Sequence, residues 1–331
     1  MPIFSKKFKL GLDIGSAFIK ICLPKRGGRP VVARSVTPAG SVNKGLLQQS
    51  EAVKDVLNQL INQQNLQNCP VVATLPASAL VLRHIQIPLL KPRETAEAIE
   101  WEARRVLPFP VEEAQVDWLR QGTVLDETGE MQDILLVAVR DNIVRQYVEA
   151  IQDSGLRLVA LDVAPLALGR WLLKNSQVSS LIIDLGAETT QLHFFDKSRL
   201  IFSRSVSIGG SAATQTIQNI EGTSFQEAET LKLRGNYKGE WLESWLSELG
   251  RELQRSLEYF RSNFELGEQE QGQFGQVLLT GGASSTRGVE ELIRDITGVD
   301  PGYAEFSSKA RSPRHDKIVY NVALGAGMWE G

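Results

Sequence analysis

Two stretches of this chain, "LDIGSAFIKICL" (residues 12–23) and "IDLGAETTQLHF" (residues 183–194), follow one plan. Each is an apolar strand ending in Asp-x-Gly, then small or hydroxyl residues, then alternating apolar positions. Alternation is the period of a strand with one buried face, and the glycine permits a tight reversal, so each stretch reads as a β-hairpin. The two aspartates, Asp13 and Asp184, lie about half the chain apart. At 331 residues the chain exceeds the usual single domain, so two related halves are expected.

The rest of the pattern supports a duplicated α/β plan. After the first hairpin comes a turn at Gly27-Gly28 and the strand "PVVARSVTP". Val53, Val56, Leu57, Leu60 and Ile61 then recur at helical spacing over 51–64. The buried strand "CPVVATLP" ends at proline. The middle differs in character: a strand "VLRHIQIPLL", an amphipathic helix over 94–107 stopped by "PFP", strands near 116–123 and 134–139 around "DETGE", and a helix over 141–153 ended by Gly155. This predicts an inserted α+β subdomain at about 80–155.

"LRLVALDVAPLALGRWLLK" is a strand running into a helix. Beyond the second hairpin, the strand "LIFSRSVSIGG" and a helix over 211–220 lead into a mostly helical stretch, 222–265. There Leu242, Leu246, Leu249, Leu253, Leu257, Phe260 and Phe264 form an apolar seam. The strand "QVLLTGGASS" and a helix over 288–297 follow. The expected domains are 1–79 plus 156–179 as one half, 80–155 as the insert, and 180–331 as the other half, with a helical subdomain at about 221–275.

Composition removes several function classes. With 42% hydrophobic and 23% charged residues the chain can build a core, which excludes a largely disordered protein. A net charge of −3 argues against bulk electrostatic binding to nucleic acid. Cys22 and Cys69 stand in apolar runs without metal-ligand spacing, so they read as core thiols in a reducing cytosol. The longest apolar stretches, such as "ILLVAV", are only strand-length, and no signal peptide is visible. "MPIFSKKFKL" reads as an ordinary solvated terminus. The expected location is cytoplasmic, with no direct membrane insertion.

The hairpins carry the chemistry. A tight glycine turn exposes successive backbone N–H groups that can hold phosphate oxygens, and Ser16, Thr189 and Thr190 add hydroxyl donors. Aspartates do not bind phosphate directly; their natural work is to hold hydrated Mg²⁺. Two such hairpins facing across a cleft would clamp a nucleotide's phosphates from both sides, with a third glycine turn at "TGGAS".

These motifs resemble the actin-like ATPase superfamily, whose ribonuclease H-like fold is duplicated around a nucleotide cleft. The resemblance implies ATP and Mg²⁺ as ligands. It places the first phosphate loop at Asp13, Gly15 and Ser16, and the second at Gly186, Ala187, Glu188, Thr189 and Thr190. It places the adenosine loop at Gly281, Gly282 and Ala283, and sets Glu229 and Lys232 of "EAETLK" beside the nucleoside. Asp13 and Asp184 would hold the metal through water. A Walker-type P-loop is absent.

The insert resembles that of FtsA and PilM, and "ETAEAIEWEARRVLPFPVEEAQVDW" with "DLGAETT" points to the PilM family of type IV pilus assembly. This implies a cytoplasmic ATP-binding scaffold, associated with the inner membrane through a protein. Its partner would be the N-terminal peptide of a PilN-like membrane protein, docked near Ile99, Trp101 and Ala103, with other pilus components as further partners. An FtsA-like division or shape filament is the alternative, though FtsA carries a C-terminal membrane helix and this chain stops at "GAGMWEG". A small-molecule kinase or phosphatase of the same fold is the second alternative. MreB-like relatives place a Glu before a Pro where this chain has Ala164-Pro165. Asp162 is then the one catalytic candidate, and weak or absent ATP hydrolysis is expected.

Overall fold

The computed structural model describes residues 8–25, 29–126, 129–234, 240–264, 274–303 and 315–330. The basic start at 1–7 and the Gly27-Gly28 turn lie outside the described residues.

The first alternating run becomes β1 (Leu10–Ile14) and β2 (Phe18–Leu23), followed by β3 (Val31–Val36). A small hairpin of β4 (Val42–Asn43) and β5 (Leu46–Leu47) comes next. Strands of two residues are too short to show a period, so the sequence does not signal them. Helix α1 (Ser50–Gln64) buries Val53, Leu57, Leu60 and Ile61, and β6 (Pro70–Leu75) is buried almost throughout.

The insert comprises β7 (Val81–Pro88), α2 (Pro92–Val106), β8 (Ala114–Asp126) and β9 (Gly129–Arg140), its strands ordered β7-β9-β8. The last two strands are longer than their apolar runs because backbone pairing carries the ladder on to Asp126 and Gly129 through polar residues that show no alternation. Ile99 and Ala103 of α2 close over Ile85, Ile87, Ile134 and Leu136 on one face of this sheet. Its other face adds Leu82, Leu135 and Val137 to a core that also holds Phe195 and Leu200 from the second half. Arg199 pairs with Asp133 at 2.6 Å across the same boundary. The insert therefore touches the second half of the chain as well as the first.

Next come α3 (Asp141–Gln152), β10 (Arg157–Val163) and α4 (Ala164–Leu172). Sequence grouping assigns α3 to the insert, yet Tyr147, Ala150 and Ile151 pack with Leu10, Val53 and Leu57 in the first half's core. Periodicity reveals that a helix has a buried face; it does not say which sheet that face meets.

The second half runs β11 (Ser180–Leu185), β12 (Thr190–Asp196), β13 (Arg199–Val206), α5 (Gly210–Glu221), α6 (Phe225–Arg234), α7 (Glu240–Asn263), β14 (Gln276–Thr280), α8 (Val289–Thr297), β15 (Gly302–Tyr303), α9 (His315–Ile318) and α10 (Asn321–Gly327). The α7 seam packs as its spacing predicts, with Leu249, Leu253, Leu257 and Phe260 buried against the sheet and Phe260 stacked on Phe194 at 4.1 Å. The two main sheets have the same order, β3-β2-β1-β6-β10 and β13-β12-β11-β14-β15. The signs match as well: both hairpin pairings are antiparallel in each sheet, and both inner pairings are parallel. The repeated sequence motif is thus a repeated fold.

The chain then returns to the first half. Every residue of α10 is buried, and the helix lies against β1, β2, β6 and α4. Its approach is so close that a Cβ on Gly11 would fall 1.7 Å from the Ala323 carbonyl oxygen. Lys9 N–H donates to the Gly327 carbonyl at 3.2 Å. No helix among the described residues is long and apolar enough to cross a membrane.

Candidate functional site

The two hairpin turns stand at equivalent places in the two sheets. Asp13 is cross-strand partner to Lys20 and Thr74, and Asp184 is partner to Gln191 and Thr280. Lys20 breaks this symmetry. Its Nζ lies 2.5 Å from Asp13 Oδ2, with both side chains mostly buried. Sequence reading missed Lys20, although hairpin pairing could have found it, since the residue opposite Asp13 follows from the turn position.

Asp184 is held in low-dielectric surroundings that push its carboxyl pKa up to about 6. Burial is the main cause, the Asp13 charge adds to it, and Lys20 opposes it. The three groups therefore form one electrostatic unit. Among the described residues no cluster of three or more His, Cys, Asp or Glu could cage a metal ion. Two carboxylates are the donor set suited to Mg²⁺, which keeps several waters and takes phosphate oxygens as further ligands.

The turns themselves leave donors available. Gly15 N–H closes its turn on Phe18 O, and Gly186 N–H closes on Thr189 O. The amides of Ser16, Ala17, Ala187 and Glu188 have no acceptor among the described residues. Gly281, at φ +82°, brings the third turn against the second hairpin: a Cβ there would lie 2.3 Å from Asp184 Oδ1 and 2.4 Å from Leu185 O. Only glycine permits both that dihedral and that approach. This is a cradle made of backbone, and it fits a polyphosphate.

A second cluster adjoins it. Lys232 Nζ donates to Gly210 O at 3.1 Å, Thr214 Oγ1 at 2.9 Å and Glu229 Oε2 at 2.6 Å, and its side chain is buried. Burial lowers the Lys232 pKa, opposed by the Glu229 charge. A Cβ on Gly210 would meet Ala283 Cβ at 2.6 Å. Glu229, Lys232 and the Gly281–Ala283 turn are thus brought together, with Gly210 and Thr214, unanticipated from sequence, between them. Gly282 has only Val319 within contact of such a Cβ, at 3.6 Å.

Several other candidates have different surroundings. Thr190 donates its hydroxyl to Ile208 O at 2.7 Å and is fully buried, so it braces β12 against the entry to α5 and has no free donor for the cleft. Thr189 Oγ1 accepts from Gln191 at 3.1 Å. Asp162 accepts from its own chain at Val163 N–H (2.8 Å) and pairs with Arg170 at 2.7 Å. Arg170 also donates to Gly325 O at 2.9 Å. One Asp162 oxygen is thus taken up by its own backbone and the other by Arg170, which ties α4 to α10. Ile99 and Ala103 belong to the insert's core, whereas Trp101, two residues from each, is 59% exposed on the opposite side of α2. The three cannot line one groove, because positions i and i+4 share a helix face and i+2 does not.

The family model of the type IV pilus assembly protein PilM matches residues 11–320. The chain belongs to the PilM family. Its place in type IV pilus assembly follows from that membership. Among solved structures, a PilM–PilN type IV pilus biogenesis complex is 27% identical, with a TM-score of 0.80 and 98% of each chain covered. MreB5 of Spiroplasma citri, bound to AMPPNP, has a TM-score of 0.62 at 13% identity, covering 98% of this chain and 96% of that one, which shows the shared actin-like fold. Cell division protein FtsA of Enterococcus hirae is 23% identical over 377 residues, covering 97% of this chain and 84% of FtsA. In this PilM-family chain the actin-like fold expected from the paired hairpins is the fold observed.

Proposed function

We propose that this chain is a cytoplasmic, ATP-binding scaffold of the type IV pilus inner-membrane complex, which docks the N-terminal peptide of a PilN-like membrane protein. The observation that carries the partner is the likeness, over nearly the whole of both chains, to a PilM captured with PilN. The ligand is supported by the cradle of unaccepted amides, the Asp13–Lys20–Asp184 unit and the glycine approach at 281. Mg²⁺ would supply positive charge between the carboxylates and the phosphates; Lys20 would orient Asp13, and Glu229, steadied by Lys232, would face the nucleoside. The domains act as two halves bridged by the insert. Binding serves better than turnover here, since Ala164 stands before Pro165 at the start of α4 and Asp162 is engaged by Arg170.

The decisive experiment is capture of a synthetic PilN-like N-terminal peptide by the purified protein, with and without Mg-ATP. Liposomes displaying that peptide should recruit the protein and bare anionic liposomes should not. Tight binding to bare liposomes would favour the FtsA-like alternative.

Two variants refine this reading. Trp101 is exposed and carries Arg105 over its ring at 4.9 Å, the amphipathic character common in binding anchors. Trp101→Ala should weaken peptide binding by about tenfold while leaving stability within about 0.5 kcal/mol. Unchanged affinity in a peptide titration would remove Trp101 from the docking surface. Lys20→Ala should weaken Mg-ATP binding by about tenfold, since Asp13 would lose the charge-assisted partner that orients it for the hydrated metal. Calorimetric titration giving parent-like affinity would assign Lys20 to the hairpin alone.

A further inference from the structure

The hairpin of β4 and β5 is closed by Lys44 and Gly45, whose φ angles are both positive, 50° and 82°. Two-residue loops of this kind favour Asn, Asp or Gly at the first position, because other L side chains crowd their own backbone there. Lysine is a poor turn former in that place. It is nevertheless firmly held: Ser78 Oγ donates to Lys44 O at 2.6 Å, and the buried Tyr147 hydroxyl donates to Gly45 O. A non-glycine residue kept in the left-handed region by its surroundings calls for a reason in its side chain.

The turn touches both phosphate loops. Gly45 N–H donates to Ser16 Oγ at 3.3 Å on the first half. Lys44 N–H donates to the Glu188 carboxylate on the second. Lys44 Nζ reaches Ser207 Oγ at 3.0 Å, just ahead of α5. That partner is a neutral hydroxyl, and Nζ makes no ion pair among the described residues. The turn that carries this exposed cation thus bridges Ser16 of the first phosphate loop and Glu188 of the second.

We propose that Lys44 is a further nucleotide-binding residue, which contacts the terminal phosphate across the cleft and so favours a triphosphate over a diphosphate. This rests on the nucleotide-binding reading above. An anion between the loops would replace Ser207 as the partner of Nζ, while the Lys44 amide on Glu188 keeps the two halves together.

The test uses Lys44→Asn and Lys44→Arg, titrated by calorimetry with Mg-AMPPNP and with Mg-ADP. Asparagine suits the turn better than lysine, so a folding defect should not obscure the result. Lys44→Asn should keep or raise the melting temperature. It should lose about tenfold in affinity for AMPPNP, the scale of one charge-assisted hydrogen bond, and at most about threefold for ADP. Lys44→Arg should restore most of the AMPPNP affinity. Equal losses for both nucleotides would overturn phosphate discrimination and leave Lys44 with a closure role. Parent-like affinity for both would make it a surface residue. If the parent itself binds neither nucleotide, the nucleotide reading fails first and this proposal falls with it; if the parent binds and the variants match it, only this proposal falls.

Discussion

Asp184→Asn should make the protein more stable at pH 7.5 and at the same time unable to hold Mg-ATP tightly. The Asp184 pKa is raised from 3.8 to about 6, chiefly by burial. The folded state therefore binds this proton more tightly than the unfolded state does. Stability tied to that proton is fully present below about pH 4 and is lost as the pH rises through about 6. At pH 7.5 the folded protein carries an unfavourable, largely desolvated charge, with an upper bound of about 3 kcal/mol. Asparagine removes the charge at nearly constant shape, so the melting temperature should rise by a few degrees, and the difference from the parent should vanish near pH 4. The cost appears in binding: a carboxylate that would hold Mg²⁺ through water is gone, and Mg-ATP affinity should fall at least about tenfold. Thermal melts across pH, with and without Mg-ATP, read both effects. A variant that melts lower and still binds would refute the assignment.

Gly11→Ala should be the most destabilising single-methyl change in the chain's first half. The new Cβ would lie 1.7 Å from Ala323 O and 2.6 Å from Gly327 N, both backbone atoms of the last helix. Neither can rotate away as a flexible side chain would, so α10 must leave its seat on β1. We expect a loss of more than about 4 kcal/mol, at the far end of the range for single substitutions. Gly122→Ala is the control, because nothing lies within 4 Å of a Cβ there, and it should stay within about 0.5 kcal/mol. Urea unfolding of both variants settles the matter: equal midpoints would mean that α10 is not packed on β1 as described.

The duplicated hairpin was legible because it combines a period, a turn residue and a charged residue at fixed spacing, and the structure repeats it in register. The α7 seam was legible for the same reason. What sequence could not convey was who meets whom. Helix α3 has a clear buried face, but that its Tyr147 joins the first half's core depends on tertiary packing. Thr190 and Ser16 carry the same kind of hydroxyl, and only the structure shows that the Thr190 hydroxyl already donates its hydrogen bond to Ile208 O. Lys20 was hidden by its surroundings, an alternating strand in which a polar residue every second position is unremarked. Ile99, Trp101 and Ala103 are neighbours in sequence, but the 3.6-residue turn puts Trp101 on the face opposite the other two.

The return of α10 to β1 also bears on how the protein is made. A ribosome releases the strands of the first half early, yet the helix that covers them is the last element of the second half. At about 5–20 residues per second, the roughly 150 intervening residues take on the order of 10–30 s to synthesise. During that interval the nascent first half has its hairpin, α1 and α3 but an open apolar face around Gly11, Cys22 and Val72, the residues that α10 later covers. A message truncated after residue 303 would therefore yield a first half that cannot close and a second half without the Ile318 and Asn321 bonds to Thr280, and aggregation during translation is its expected fate.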